Sequence, residues 1–336
     1  MKMAYHLILG LIFFAVVAAV NPHTTLTSGF FPLASRSGYK ALTDSRERPA
    51  FRSLGEGGTA EAQEEREPAP GPFHDIQLEA RNVYVLDMRT GELMYEKNSL
   101  EPRPLASLTK LLTAVLVEEH VPGRVYIPLS PEAIRQDEGE GLEAGDKLEK
   151  SDLVDFMLVA SSNDAAYAAA EFIGASLEGN GKANVSKFVA LMNERARDIG
   201  MLSSSFLNPH GLDVTINFKR ISGADGSAFD VAVLLDYILK NYPHLLAATR
   251  EGGIQVISEK GKTYTARNTD EALGILPQLI GAKTGATKLA GGNLAFVFDA
   301  GFERPVLAVI LGASEKGRFE DAKKIEEAAL KYIQWY

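Results

Sequence analysis

The chain predicts an α+β fold: an antiparallel β-sheet flanked by helices, with a helical subdomain inserted between the first and last strands of the sheet. Three observations predict it. Two β-rich runs, 82–87 and 92–96, are separated by the turn Met88-Arg89-Thr90-Gly91 and lead directly into an apolar helix, as when a sheet packs on helices. The stretch 280–333 reads strand, turn, strand, turn, strand, helix, and turns that short favour antiparallel neighbours. Between these two ends the apolar spacing is mainly helical.

With 336 residues the chain can hold one large domain or two ordinary ones, and 46% hydrophobic content suffices for a substantial core. The net charge of -9, with no basic stripe, excludes a nucleic-acid surface and favours small-molecule or peptide partners. Absence of cysteine removes disulfides and thiolate metal sites. The six histidines form no H-E-x-x-H arrangement or other close pair, so neither a metal nor a cofactor is expected.

Taken in order, residues 1–20 open with Lys2 and run apolar from Leu7 to Val20, as in a signal peptide or an N-terminal membrane anchor. Residues 21–72 are rich in Ser, Thr, Gly, Pro and Glu; they cannot bury enough apolar surface to offset their ordering entropy and read as a disordered linker. A long tether has a use if the first segment stays in the membrane, which favours retention over cleavage. The folded domain is assigned to 73–336, with regular order beginning near Ile76.

After the first hairpin, Pro102 and Pro104 break the chain and a helix follows from Ser107 to about His120. The segment 139–150 reads as surface loop with short strands. Helical spacing over 152–158 is interrupted by Ser161-Ser162-Asn163-Asp164 and resumes over 165–173, where Asn163 or Asp164 could serve as N-cap. Residues 185–199 form an amphipathic helix through Phe188, Leu191, Met192 and Ile199. Residues 227–241 form another through Val231, Leu234, Leu235 and Ile238. Gly261-Lys262-Thr263 resembles the tail of a phosphate-binding loop, but Val256 stands where that loop needs its first glycine. Gly-x-Ser-x-Gly is also absent, which removes the common α/β-hydrolase reading.

Chemistry concentrates on Ser107 and Lys110. Spaced three apart on a helix, their side chains share a face, and an uncharged amine there could take the serine's proton. The plain alternative makes Ser107 a cap and Lys110 a solvated first-turn residue. Ser37 and Lys40 have the same spacing in a Gly/Ser/Pro-rich stretch, so the pair alone specifies little. His210 lacks a carboxylate or second histidine at useful spacing and reads as a structural hydrogen-bonder.

Ser107-x-x-Lys110, Ser161-Ser162-Asn163 and Lys283-Thr284-Gly285 resemble, in order and separation, the Ser-x-x-Lys, Ser-x-Asn and Lys-Thr-Gly set of penicillin-binding proteins and serine β-lactamases. From about Ala80 onward the likeness is to the D-alanyl-D-alanine carboxypeptidases, the low-molecular-mass serine peptidases of the S11 type. Phe206-Leu-Asn-Pro-His-Gly-Leu212, Ala290-Gly291 and Lys316-Gly-Arg318 extend it. This resemblance implies a β-lactamase/transpeptidase-like fold and a set of roles. Ser107 is the nucleophile forming an acyl-enzyme and Lys110 its base. Ser161 relays a proton to the leaving amine, Asn163 holds the substrate amide, and Lys283 supplies positive charge beside Ser161. The backbone N–H groups of Ser107 and Ala286 are the oxyanion donors, Thr284 and Arg318 bind the terminal carboxylate, and Gly285 lets a substrate backbone come close.

The implied partners are peptidoglycan stem peptides ending in D-Ala-D-Ala, with β-lactams as covalent inhibitors, and the implied location is the cell envelope. Many carboxypeptidases of this family carry a β-rich second domain and an amphipathic C-terminal anchor. Here the sequence ends at Tyr336 directly after the last helix, so membrane attachment is expected through residues 7–20. The short form also resembles the D,D-endopeptidases that cut cross-links. Two rivals remain: a class A-like β-lactamase, whose E-x-x-L-N loop is not found between Asn163 and Lys283, and a non-catalytic β-lactam- or cell-wall-binding module.

Overall fold

The computed structural model describes residues 71–335 apart from 137–140, 180, 182, 277 and 302. The readings of 1–20 as signal peptide or anchor, and of most of 21–72 as linker, lie outside them. No helix among the described residues is long and apolar enough to cross a membrane.

The hairpin forms as expected, with β1 Asn82–Asp87 and β2 Glu92–Lys97 joined through Gly91 at φ 76°. At the far end of the chain, β3 Leu279–Thr287, β4 Gly291–Asp299 and β5 Pro305–Ala313 form a meander. The five strands make one sheet in the order β3-β4-β5-β1-β2, antiparallel throughout. β1 pairs with β5 in the register Val83↔Ile310 and Val85↔Ala308 and with β2 on its other side, so the first strand is internal to the sheet and every residue of it is buried. Burial on both faces explains why its sequence, Asn-Val-Tyr-Val-Leu-Asp, shows no clean polar alternation.

One face carries Val83, Val85, Leu294, Phe296, Val306 and Ile310 against α6, Gly317–Trp335, which contributes Phe319, Ala322, Ile325 and Ala329. On the alternate face Tyr84 meets Phe229 edge-on at 5.6 Å; this residue lies on α5, Ala228–Asn241, capped by Ser227. Order begins before Ile76, because Phe73 is buried and stacks on Tyr95 at 5.3 Å.

The inserted helical part comprises α1 Thr109–His120, α2 Lys150–Val159, α3 Asn163–Glu178 and α4 Val185–Asp198. Residues 109–117 of α1 are buried on all sides, the mark of a helix at the centre of a domain. On α4 the buried stripe is Phe188, Met192 and Ala196 continuing to Ile199, while the expected Leu191 is only half-buried.

Candidate active site

Ser107 does not start an α-helix. It lies in a 3₁₀ turn, Ala106–Leu108, immediately before α1, and the preceding Ala106 is buried with φ at 49°. A left-handed conformation at a non-glycine residue costs about 1–3 kcal/mol and persists only where the surroundings enforce it. Here they do so from four sides. Thr109 Oγ1 donates to the Ala106 carbonyl at 2.7 Å, and Leu105 N donates to the Ala224 carbonyl at 2.8 Å. Asn293 Nδ2, from β4, donates to the Pro104 and Leu105 carbonyls at 2.9 and 3.1 Å. Gly211, with φ at 82°, packs so tightly that a Cβ there would stand 2.0 Å from the Ala106 oxygen.

Lys110, in the first turn of α1, is completely buried. Its Nζ donates to Ser107 Oγ at 2.8 Å, to Asn163 Oδ1 at 2.6 Å and to the His210 carbonyl at 3.3 Å. These contacts satisfy the requirement that a buried amine be hydrogen-bonded. Asn163 is the first residue of α3, and the N-cap is Ser162, whose Oγ accepts Ala165 N–H at 3.1 Å. That corrects the expectation of Asn163 or Asp164 in the cap: one position earlier, the hydroxyl can fold back on the helix while the Asn163 amide points to Lys110. Ser161, just outside the cap, has φ at 62°, a second left-handed non-glycine residue beside the site.

Lys283, on β3, is 1% exposed, and its Nζ donates to Ser161 Oγ at 2.8 Å and to the Thr284 carbonyl at 2.9 Å. Thr284 Oγ1 lies 2.5 Å from Thr269 Oγ1. Gly285 faces the nucleophile's own turn: a Cβ there would stand 3.0 Å from the Leu105 oxygen and 3.1 Å from Ser107 N. Its bare backbone therefore lets β3 lie against the Ser107 turn, whereas the sequence reading reserved that space for a substrate. Ala286 is the next residue on the strand, half-buried and paired with Gly292. Arg318, near the start of α6, is buried rather than a surface helix-start residue; Nη1 donates to the Gly285 carbonyl at 2.8 Å, and the guanidinium sits 4.6 Å from the Phe319 ring centre.

The residues singled out from the sequence thus all gather around the Ser107 turn, the start of α3 and the edge strand β3. Sequence reasoning missed the residues that hold the turn, Gly211 and Asn293, and the Thr269 hydroxyl against Thr284. A polar residue between Gly292 and the apolar run 294–298 was the available signal for Asn293. His210 is neutral and structural. Burial pulls its imidazole down to about 3, and Nδ1 accepts Leu212 N–H at 3.2 Å. Among the described residues no group of acidic and histidine side chains could hold a metal.

A serine hydroxyl in contact with a buried lysine, beside a second serine–lysine contact on a sheet edge, is the arrangement of a serine acyl-transfer site. The fold is that of the penicillin-binding proteins. Penicillin-binding protein D2 of Listeria monocytogenes, in its cefotaxime-bound form, is similar at a TM-score of 0.59 and 28% identity, over 76% of this chain and 98% of that one. The family model described as D-alanyl-D-alanine carboxypeptidase matches residues 64–315, and the chain belongs to that family, the S11 serine peptidases. D-alanyl-D-alanine carboxypeptidase DacF of Bacillus subtilis is 30% identical over 246 residues, covering 71% of this chain; the chain spans 59% of that relative's length, less than two thirds. A D-alanyl-D-alanine endopeptidase of Pseudomonas aeruginosa is 28% identical over 257 residues, covering 74% of this chain and 76% of its own length.

Proposed function

We propose that this protein is a serine-type D-alanyl-D-alanine carboxypeptidase that trims peptidoglycan stem peptides through a Ser107 acyl-enzyme. The observation that carries the reading is the completely buried Lys110 amine, 2.8 Å from Ser107 Oγ and 2.6 Å from Asn163 Oδ1. In the proposed reaction Ser107 Oγ attacks the carbonyl carbon of the penultimate D-alanine, and its proton passes to an uncharged Lys110. The C–N bond breaks, and the leaving amine takes a proton by way of Ser161. Water then cleaves the ester, releasing the shortened peptide and regenerating the serine. Burial of both Lys110 and Lys283 supports the uncharged state, because two ammonium groups in one dry site repel each other.

Asn163 orients the substrate amide, and the N–H groups of Ser107 and Ala286 receive the developing oxyanion, each worth on the order of 3 kcal/mol of barrier. Thr284 and Arg318 receive the terminal carboxylate, where a guanidinium fork matches two oxygens. β-Lactams acylate Ser107 by the same attack. The test is release of D-alanine from an N-acylated peptide ending in D-Ala-D-Ala. The native protein releases it and Ser107→Ala does not; equal release by both removes the reading.

The similarity to an endopeptidase over 76% of that protein's length favours one second reading, cleavage of cross-links between stem peptides. Mass spectrometry of products from linear and cross-linked muropeptides separates the two. We further place the protein outside the cytoplasmic membrane, with 73–336 as the catalytic domain, 21–72 as linker and residues 7–20 as signal or anchor. The apolar run from Leu7 to Val20 supports that placement. Cell fractionation with intact-mass measurement of the mature chain tests it.

A further inference from the structure

Thr269 is exposed, yet its hydroxyl lies 2.5 Å from that of Thr284, a residue only 4% exposed. The segment that carries it is anchored on every side. Thr269 N donates to the Val159 carbonyl at 3.2 Å, which ties it to the end of α2. Before it, Asn268 Nδ2 donates to the Thr249 and Glu251 carbonyls, each at 2.8 Å. After it, Asp270 N donates to Asn268 Oδ1 at 2.9 Å, and Asp270 Oδ1 caps the 3₁₀ turn Glu271–Gly274 by accepting Ala272 N–H at 2.9 Å.

The same segment marks where the edge of β3 closes. Among the described residues β3 pairs only with β4, which leaves its other side for a ligand. At Ala282 that side is already taken: Ala282 N donates to Thr249 Oγ1 at 3.1 Å, and Thr249 is one of the residues Asn268 holds. By the alternation of a strand, Ala282, Thr284 and Ala286 present their backbone to one side. Alternate residues stand about 7 Å apart, close to the length of two extended residues. A peptide lying along β3 with its scissile carbonyl at Ala286 therefore brings its terminal carboxylate to Thr284, and beyond Thr284 the edge is occupied.

Counting hydrogens then decides which threonine donates. A threonine hydroxyl has one hydrogen and two lone pairs. One hydrogen is shared between Thr269 and Thr284, so only one of the two hydroxyls keeps its own for a third group. A carboxylate can only accept. When it reaches Thr284, that hydroxyl must give it the free hydrogen, and Thr269 must donate to Thr284. Hydrogen bonds to an ionised acceptor are roughly twice as strong as neutral ones, so the direction of this one matters to binding.

We infer that Thr269 is the positioning residue for Thr284: its hydroxyl donates to Thr284 Oγ1 and leaves the Thr284 hydrogen for the peptide's terminal carboxylate, at the closed end of the β3 edge. The inference rests on the carboxypeptidase reading of Thr284. Acyl transfer proceeds at Ser107, Lys110 and Ser161, which Thr269 does not serve. Losing its hydroxyl therefore weakens substrates that carry the carboxylate and leaves acyl donors without one unaffected.

The test uses the full chain and two acyl donors: an N-acylated peptide ending in a free D-Ala-D-Ala carboxylate, and the matching N-acyl-D-alanine ethyl thioester, whose leaving group has no carboxylate. Thr269→Val keeps the shape and removes the hydroxyl, whereas Thr269→Ser keeps the hydroxyl. For Thr269→Val the expected result is a peptide KM raised at least 3-fold with kcat little changed, and a thioester kcat/KM close to native. Thr269→Ser should restore the peptide KM, and adding Thr269→Val to Thr284→Val should raise it no further. A rise of less than 3-fold for Thr269→Val, beside a raised KM for Thr284→Val, overturns the role of Thr269 and leaves the carboxypeptidase reading standing. A loss of kcat/KM in the same proportion for both donors means that valine has displaced the segment, and it overturns the role as well. An unchanged KM for Thr284→Val removes the carboxylate role of Thr284 and this inference with it, while D-alanine release by the native protein still stands for the reaction. Should Thr269→Val fail to fold, Thr269→Ala decides on the same two donors by the same measures.

Discussion

Lys110 has no exposed surface, and a lysine in that position persists only with partners arranged around its amine. Its contacts come from three places in the chain, Ser107, Asn163 and His210, so the amine both serves the nucleophile and joins α1 to α3. Lys110→Ala should therefore cut acylation by a fluorescent penicillin by about 10²–10⁴-fold, the usual contribution of a positioned base. It should also cost about 1–3 kcal/mol of stability through the acceptors left behind. Stopped-flow acylation and urea unfolding on one preparation measure both, and acylation at the native rate would show that the serine's proton goes elsewhere.

His210 makes a separate prediction at the same scale. Its folded imidazole is held down to about 3, well below the unfolded value, so the fold binds the neutral form and the unfolded chain takes up the proton first. The corresponding stability is present above the unfolded value near 6.5 and is lost as the pH falls from there toward the folded value. Between about pH 7 and about pH 4 the loss should be on the order of 3 kcal/mol relative to a His210→Asn variant. Urea unfolding of the two proteins at both pH values checks the difference; parallel curves contradict it.

At the scale of elements, the 3₁₀ turn carrying Ser107 matters more than the helix that follows it. Gly211 is the sensitive contact: a methyl group at this position would meet the Ala106 oxygen at 2.0 Å, and the backbone has φ at 82°. Gly211→Ala should displace the nucleophile's turn and slow acylation by about 10²-fold or more, since small misplacements of reacting groups are costly. Burst kinetics with a β-lactam would show it, and a native burst would mean that the turn tolerates the shift. The central strands were legible as short β-rich runs bounded by turn residues, and α1 to α6 through the helical spacing of their apolar residues. The turn's geometry was not, since alanine at φ 49° carries no local signature and is imposed by Thr109, Asn293 and Gly211. The cap at Ser162 was misread for a related reason: Ser161, Ser162, Asn163 and Asp164 are all capping residues, and only the contacts of Asn163 with Lys110 separate them.

At the scale of the whole molecule, the first hairpin and the last meander become one sheet because β1 pairs with β5 across most of the chain. Asp321, fully buried on α6, locks that closure by accepting Glu79 N–H at 3.1 Å and Ala80 N–H at 2.7 Å. Hydrogen bonds to a charged group contribute about 1.5–3 kcal/mol each, so Asp321→Ala should lose about 3 kcal/mol or more of stability while the folded fraction keeps its acylation rate. Thermal unfolding and acylation titration check the two halves, and a Tm equal to the native value would refute the lock. The proposed chemistry also predicts a long-lived Ser107 adduct with a β-lactam. Intact-mass spectrometry over time tests this, and rapid turnover would point to the β-lactamase reading.

Read alone, the chain was enough for the α+β class, the strand and helix order and the identity of the reactive serine and lysines, because these follow from local periodicity and from motifs a few residues long. Folding alone settles how close those groups come and what constrains the turn between them. Such contacts join positions far apart in sequence, and the burial that makes a hydroxyl–amine pair consequential exists only once the sheet and helices have closed around it.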